Sequence, residues 1–279
     1  MNVTERIRAG AARLSPAERR VADVVASDPE AVAFGTVATV AARAGTSGPT
    51  VLRLAARLGF AGFVELQAAV RDGLSQRLRP AVQRIRGVPS APALARTLEV
   101  ELANVRRTLE AVEPRAFAAA VALLADVRRR VFVLPSEQCR PAGASFAVDL
   151  GLLRDGVRMV GGSEFRVVSQ LARVERGDAV VVVDLQRHER WIVEASRRAT
   201  AAGAHSIVLT DGPLSALATG ARHVFTVAAD ASGPFDSGVG ILALLNALVA
   251  GVAGALRPQA ARRIERLERT WVESGALLE

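Results

Sequence analysis

The sequence has no lysine and no tyrosine, a single cysteine, three histidines and two tryptophans in 279 residues. All 36 basic residues are therefore arginine, and against 28 acidic residues they leave a formal charge of +8. Such an excess suits a polyanionic partner, but complete replacement of lysine by arginine in an alanine-rich chain reads as compositional bias. The local distribution says more. Residues 31–64 contain no aspartate or glutamate, yet Arg43, Arg53 and Arg57 lie among them, and that asymmetry marks a nucleic-acid face better than the total does. The lone Cys139 excludes an internal disulfide and a multi-thiolate metal centre, and His188, His205 and His223 lack the spacing of helical metal ligands. No cofactor or metal is expected. Charged residues Glu5, Arg6 and Arg8 interrupt the apolar run that a secretion signal needs, so the cytoplasm is the expected compartment. One long uncharged run, residues 237–256, is long enough to cross a bilayer. Its glycines, alanines and Asn246 instead suit a helix buried between a sheet and a partner subunit, so no membrane partner is expected.

Half of the residues are apolar, enough for packed cores, and the length suits two domains. Residues 1–80 read as helical. Ser15-Pro16-Ala17-Glu18 has the form of a capping box with proline at the first helical position, and Val21, Val24 and Val25 follow at helical spacing. Asp28-Pro29 ends that helix and opens a short one. Thr36 then caps a helix over 37–44, Gly45 breaks it, Ser47 caps another over 48–58, and Gly59 closes that one. Phe60 and Phe63 are placed to plug the small core before a helix over 65–78. Pro80, Pro89 and Pro92 mark the clearest boundary, which gives a helical domain over 1–80, a linker over 81–95 and a second domain over 96–279. Helices over 93–112 and 114–125 lead into it. Beyond Arg130 the period changes: short β-rich runs at 131–134, 157–160, 179–183, 206–209 and 223–227 alternate with helical stretches such as 142–153 and 189–202. That alternation predicts a parallel sheet with helices on both faces and ligands beyond the carboxyl ends of the strands. Trp191 is placed to pack on the sheet or line the pocket rim, and Trp271 to anchor an arginine-rich helix over 259–272.

Residues 37–58 have helix-turn-helix spacing, with a tight turn at Ala44-Gly45-Thr46. On the second helix Val51, Leu54, Ala55 and Leu58 share a face for packing, while Thr50, Arg53 and Arg57 fall on another. Laid in the major groove by its N-terminal end, this helix presents Gly48, Pro49, Thr50 and Arg53 to base edges, flanked by the caps Thr36 and Ser47. Arg53 would then pair with guanine, Thr50 with a base or phosphate, and Arg57 with the backbone. The same pattern equally fits a helical bundle whose arginines are a solvated face. The segments Leu14-Ser15-Pro16-Ala17-Glu18-Arg19-Arg20-Val21-Ala22, Ala41-Ala42-Arg43-Ala44-Gly45-Thr46-Ser47, Thr50-Val51-Leu52-Arg53 and Arg57-Leu58-Gly59-Phe60-Ala61-Gly62-Phe63 resemble the RpiR-type (MurR/RpiR) transcriptional regulators. The resemblance covers residues 1–80 and, more loosely, the rest of the chain. It implies an all-α helix-turn-helix domain and double-stranded DNA as partner.

In that family the C-terminal part is a SIS domain, a sugar-isomerase-like α/β fold with a parallel five-stranded sheet that binds phosphosugars and dimerises. Arg176-Gly177-Asp178, Ala202-Gly203-Ala204, the run from Thr210 to Ala218 and Pro234-Phe235-Asp236-Ser237 resemble it. The resemblance thus implies a homodimer or homotetramer that controls metabolic genes in response to a small-molecule effector. The family's phosphate site is altered, however. Its G-x-G-x-S turn after the first strand is represented by Pro135, Glu137 and Cys139, and its S-x-S after the third strand by Asp184-Leu185-Gln186. Pro135 has no amide hydrogen and two carboxylates replace neutral donors. The expected effector set is Ser136, Glu137, Gln138, Cys139, Asp184, Gln186, Arg187, His188 and Arg190, with Arg140, Arg187, His188 and Arg190 able to restore positive charge. Cys139 reads as a small buried thiol rather than a nucleophile. Three readings of the pocket stand open: loss of ligand with dimerisation kept, a retained phosphosugar site, and a different ligand with a hydroxyl-rich or cationic part facing Glu137 and Asp184. For the whole chain the alternatives are a phosphosugar isomerase with a helical appendage and a ligand-free oligomerisation scaffold. No catalytic carboxylate–histidine pair is legible to support the enzyme.

Overall fold

The computed structural model describes residues 14–27, 29–77, 92–212 and 215–276, together with Val3, Arg6, Ile7, Arg84 and Ile85. The chain divides into two compact units, Met1–Arg84 and Ile85–Glu279. Glu5, Arg8, Asp28, Leu78, Pro80, Pro89 and most of the expected 81–95 linker lie outside the described residues.

The first unit contains the helices α1 (Pro16–Ser27), α2 (Pro29–Phe34), α3 (Val37–Arg43), α4 (Gly48–Arg57) and α5 (Phe63–Arg77). The capping box closes reciprocally: Ser15 N donates to Glu18 Oε2 at 2.8 Å, and Glu18 N to Ser15 Oγ at 3.3 Å. Thr36 Oγ1 accepts from Thr39 N at 3.2 Å, so one of the free amides of α3 is satisfied. Val21, Val25, Val40, Val51, Leu54, Ala55 and Leu58 form the buried core, with Phe60 and Phe63 sealing it from the loop. Both phenylalanines thus act as the sequence implies. Gly45, with φ 55°, makes the turn between α3 and α4 in a region that β-carbon sterics deny most residues.

The second unit begins with α6 (Ala93–Glu110) and α7 (Pro114–Ala125) and continues β1 (Val131–Pro135), α8 (Arg140–Leu153), β2 (Val157–Met159), α9 (Glu164–Leu171), β3 (Ala179–Val183), α10 (Arg190–Ala201), β4 (His205–Thr210), β5 (His223–Thr226), α11 (Val239–Ala255) and α12 (Arg257–Ser274). All five strands are parallel, in the order β2-β1-β3-β4-β5. Alternation along the strands splits the interior in two. Val131, Val133, Val181, Val183, Ile207 and Leu209 face α7, α8 and α11. Phe132, Leu134, Val180, Val182 and Val208 face α9 and α10, where Trp191 packs against them. The helix α9 went unread in the sequence because only Val167 and Leu171 of its eight residues are buried.

Two helices depart from the usual amphipathic arrangement. α6 turns its polar side inward: Asn104 and Thr108 are buried, Asn104 exchanging hydrogen bonds with the Asp230 backbone at 2.7 and 3.1 Å, and Thr108 Oγ1 accepting from Ala228 N at 2.9 Å. Its Leu94, Leu98, Leu102 and Leu109 are exposed. α11, the uncharged run, buries Ile241, Leu244, Leu245, Leu248 and Val252, but Leu242 and Asn246 on its other side are exposed. Within this chain it is therefore buried on one face, not on two. No single helix among the described residues is long and apolar enough to cross a membrane, and the consecutive helices α11 and α12 bend by 103°.

Candidate functional site

The turn between α3 and α4 is braced by Arg20 of α1, whose Nε donates to Ala44 O at 3.1 Å and whose Nη2 donates to Gly45 O at 3.4 Å. A rigid turn fixes how α4 projects. At the start of α4, Ser47 occupies the cap position without a side-chain bond to a backbone amide. Its Oγ lies 3.1 Å from Thr50 Oγ1, which accepts from Arg53 Nη2 at 2.9 Å. Thr36, Ser47, Pro49 and Arg53 are exposed, and Gly48 is partly covered, since a Cβ there would lie 3.3 Å from Val37 Cγ1.

One expectation for this helix needs correction, and a second residue carries an added structural contact. Thr50 is 4% exposed, and its hydroxyl holds Arg53 in place instead of reaching for a base. Arg57 reaches back to α1, its Nε 2.9 Å from the Glu18 carboxylate. That carboxylate is buried, and the Ser15 amide bond above all, helped by Arg57, holds its pKa below the ordinary glutamate value against the cost of burial. Arg57 thus braces α1 through its Nε, while its side chain remains 53% exposed. The exposed Leu52, adjacent to Arg53, was not singled out by the sequence reading.

At the strand ends of the second unit, Ser136 continues β1, its amide donating to Val183 O at 2.9 Å. Ser136 Oγ is buried and accepts from Cys139 N at 3.4 Å. Glu137 N donates to Glu189 Oε1 at 3.0 Å, Arg140 N to Glu137 O at 3.4 Å, and Pro141 has no amide hydrogen. The amides of Ser136, Glu137, Cys139 and Arg140, in the turn where a glycine-rich sequence would offer donors to a phosphate, are here spent within the protein. The Pro135 ring is accommodated by Gly143 of α8, where a Cβ would lie 2.8 Å from it. Burial pushes the Cys139 thiol up to about 11, against the pull of the Ser136 hydrogen bond, so at neutral pH it is not a thiolate.

The two carboxylates do not stand bare: Arg140 and His188, two of the groups named above as able to restore positive charge, each pair with one of them. Glu137 Oε2 is 2.7 Å from Arg140 Nη2, and that pairing lowers the Glu137 pKa. Asp184, buried just beyond β3, accepts from His188 Nδ1 at 2.8 Å, and His188 Nε2 lies 2.7 Å from Ser215 Oγ in the loop after β4. The hydrogen bond to Asp184 holds the His188 pKa above the ordinary histidine value. Burial opposes it, while the charges of Asp184 and Asp211 act in the same upward direction. A carboxylate–histidine pair is therefore present where none was legible. Gln186 N donates to Asp211 Oδ1 at 3.1 Å, and the buried Gln186 Oε1 has no hydrogen-bond partner among the described residues. Gln138, Arg187 and Arg190 are exposed. The sequence reading missed Ser215, Asp211 and Glu189, the last bridging the Glu137 amide and the Trp191 indole. The adjacency of β3 and β4 was the signal that could have paired the loops after them. No group of residues able to hold a metal occurs among the described residues.

The helix-turn-helix domain of the rpiR family matches residues 1–77, and the SIS domain matches residues 124–251. No curated protein matches the chain in sequence. Among solved structures, Vibrio vulnificus NanR complexed with ManNAc-6P aligns over 98% of both chains, with TM-score 0.59 and 18% identity. The sugar isomerase domain of an RpiR transcription factor from Sphaerobacter thermophilus aligns over 63% of this chain and 98% of that one, with TM-score 0.56 and 26% identity. The E. coli CFT073 protein c3406 aligns over 63% of this chain and 95% of that one, with TM-score 0.52 and 15% identity. The NanR and c3406 likenesses are of fold alone. With both domain matches in the order the resemblance implied, the chain belongs to the RpiR family of transcriptional regulators.

Proposed function

We propose that this regulator binds a two-fold operator as a homo-oligomer and answers to a small sugar-derived or anionic effector held at the carboxyl ends of β1 and β3, acting in the cytoplasm by binding and not by catalysis. Residues 81–95 serve as the linker between a DNA-binding domain over 1–80 and a sensing domain over 96–279. The observation that carries the reading is Arg53, exposed on a turn-braced helix within a stretch free of acidic residues. Held by Thr50, it presents a preset guanidinium to a guanine edge, with Gly48 and Pro49 beside it at the base edges, the hydroxyls of Thr36 and Ser47 flanking them and Leu52 positioned for a thymine methyl. The NanR structure, complexed with ManNAc-6P, supports a sugar-derived effector. The rpiR-type domain at the N-terminus favours a regulator over the isomerase alternative.

Selection of genomic fragments on the purified protein, followed by calorimetry with sugar phosphates and their unphosphorylated parents, tests both halves. A two-fold sequence should emerge, and a ligand should weaken or strengthen its binding. Recovery of no sequence preference would overturn the DNA half, and turnover of a sugar phosphate would overturn the non-enzymatic half.

A further inference from the structure

Asp184, His188 and Ser215 form one chain of contacts, carboxylate to imidazole at 2.8 Å and imidazole to hydroxyl at 2.7 Å. The order is that of a hydrolase triad, and Leu217 N also donates to Ser215 Oγ at 3.2 Å, occupying one of its two lone pairs. A hydroxyl oxygen has two lone pairs and one hydrogen. When the imidazole carries both protons, Nδ1–H goes to Asp184, Nε2–H takes one Ser215 lone pair and Leu217 N–H the other. The Ser215 hydrogen must then point away from all three. When the imidazole is neutral with its proton on Nδ1, Ser215 donates back to Nε2 and offers no hydrogen outward, only its second lone pair.

We propose that Ser215 is a proton-gated hydrogen-bond donor to an anionic oxygen of the effector, with His188 as the gate and Asp184 as a positioning residue. The proposal rests on the effector-responsive reading above and names the chemistry of that same site. It supplies a donor where Asp184 and Gln186 displaced the family's two hydroxyls. Among the described residues the buried Gln186 Oε1 in the neighbouring loop has no donor, which suits a ligand that bears a hydroxyl or amide hydrogen as well as an anionic phosphate or carboxylate. Of the charged groups around His188, Asp184 after β3 and Asp211 after β4 favour its protonation. Arg187 and Arg190 flank it in sequence, and Glu189 is held by the Glu137 amide and the Trp191 indole.

Inorganic sulfate probes the gate directly, because its charge is constant through the histidine range. The chain has three histidines, so NMR titration of the full-length protein with isotope-labelled histidine follows all of them. His205 and His223, whose pKa values are lowered by burial and by Arg222, serve as internal references. At constant ionic strength, sulfate should raise the His188 midpoint alone, by about one pH unit for a tenfold preference for the protonated form. Ser215→Ala should abolish that shift and leave the reference midpoints in place. His188→Gln, which keeps an amide donor but cannot titrate, should bind sulfate equally across the pH range. A His188 midpoint unmoved by sulfate, moved as far in Ser215→Ala, or moved together with both references, overturns the proposal. Neither DNA nor a sugar enters the measurement, so failure to find a sugar-derived effector leaves its outcome intact. Repeating it with glucose-6-phosphate and with glucuronate separates phosphate from carboxylate by the larger shift.

Discussion

Removing the Arg57 guanidinium would leave the Glu18 carboxylate, 2% exposed, without its cation. Arg57→Ala is therefore expected to destabilise the first unit by about 1–3 kcal/mol, the typical penalty for a buried polar group left short of a partner, measured by urea unfolding. Because the Glu18 pKa is lowered in the folded state, its stabilisation is present above the unfolded carboxylate value and is lost as pH falls through the folded one. The stability gap between wild type and Glu18→Gln should accordingly close in acid. Arg53→Ala should behave in the opposite way: stability unchanged, but about 1–3 kcal/mol of operator binding lost and preference relaxed at one position of each half-site. Competition binding with operator variants checks this, and unchanged selectivity would remove Arg53 from the reading role.

An element shows its purpose by which side it buries, and α6 buries the polar one. Leu94, Leu98, Leu102, Val105 and Leu109 recur at spacings of four and three, the seam of a paired helix. An antiparallel copy brings Leu94 opposite Leu109 and Leu98 opposite Val105, and sets Glu99 near Arg106, so the stripe is self-complementary, as a two-fold interface requires. The double substitution Leu98→Glu with Leu102→Glu should convert the protein to monomers in sedimentation, with its circular dichroism retained. A second element-scale prediction concerns the first turn of α8. Gly143→Ala sets a Cβ 2.8 Å from the Pro135 ring, and forcing β1 and α8 apart should destabilise by about 1–3 kcal/mol. Thermal melts check it. Gly151→Ala, where the added Cβ meets nothing within 4 Å, is the control.

For the whole molecule, a helix-turn-helix unit covers one half-site, so two-fold operators are read only when the units are joined in pairs. The monomeric α6 variant should then bind a single half-site as the wild-type chain does, yet lose the added affinity for the paired site. Gel-shift titrations on one and two half-sites compare them directly. Equal loss on both would place α6 in folding of the sensing unit rather than in pairing.

The two-domain order, the capping box, the helix-turn-helix spacing and the run of buried strands were all legible in the residues alone, because each is a local pattern of periodicity or backbone chemistry that survives without long-range contacts. The altered phosphate turn was visible only through the resemblance to RpiR-type regulators, which implies where donors stand and so marks Pro135, Glu137 and Asp184 as departures. What the polar groups do was settled by tertiary packing instead. Arg57 and Glu18 are 39 residues apart, and His188 and Ser215 are 27 apart, distances over which charge and hydrogen-bonding capacity can be counted but not paired. The parallel β3–β4 register brings the second pair together, and the packing of α1 on α4 the first. Pairing is what joins Arg57 to the buried Glu18 and makes Asp184 the anchor of the contacts that run through His188 to Ser215.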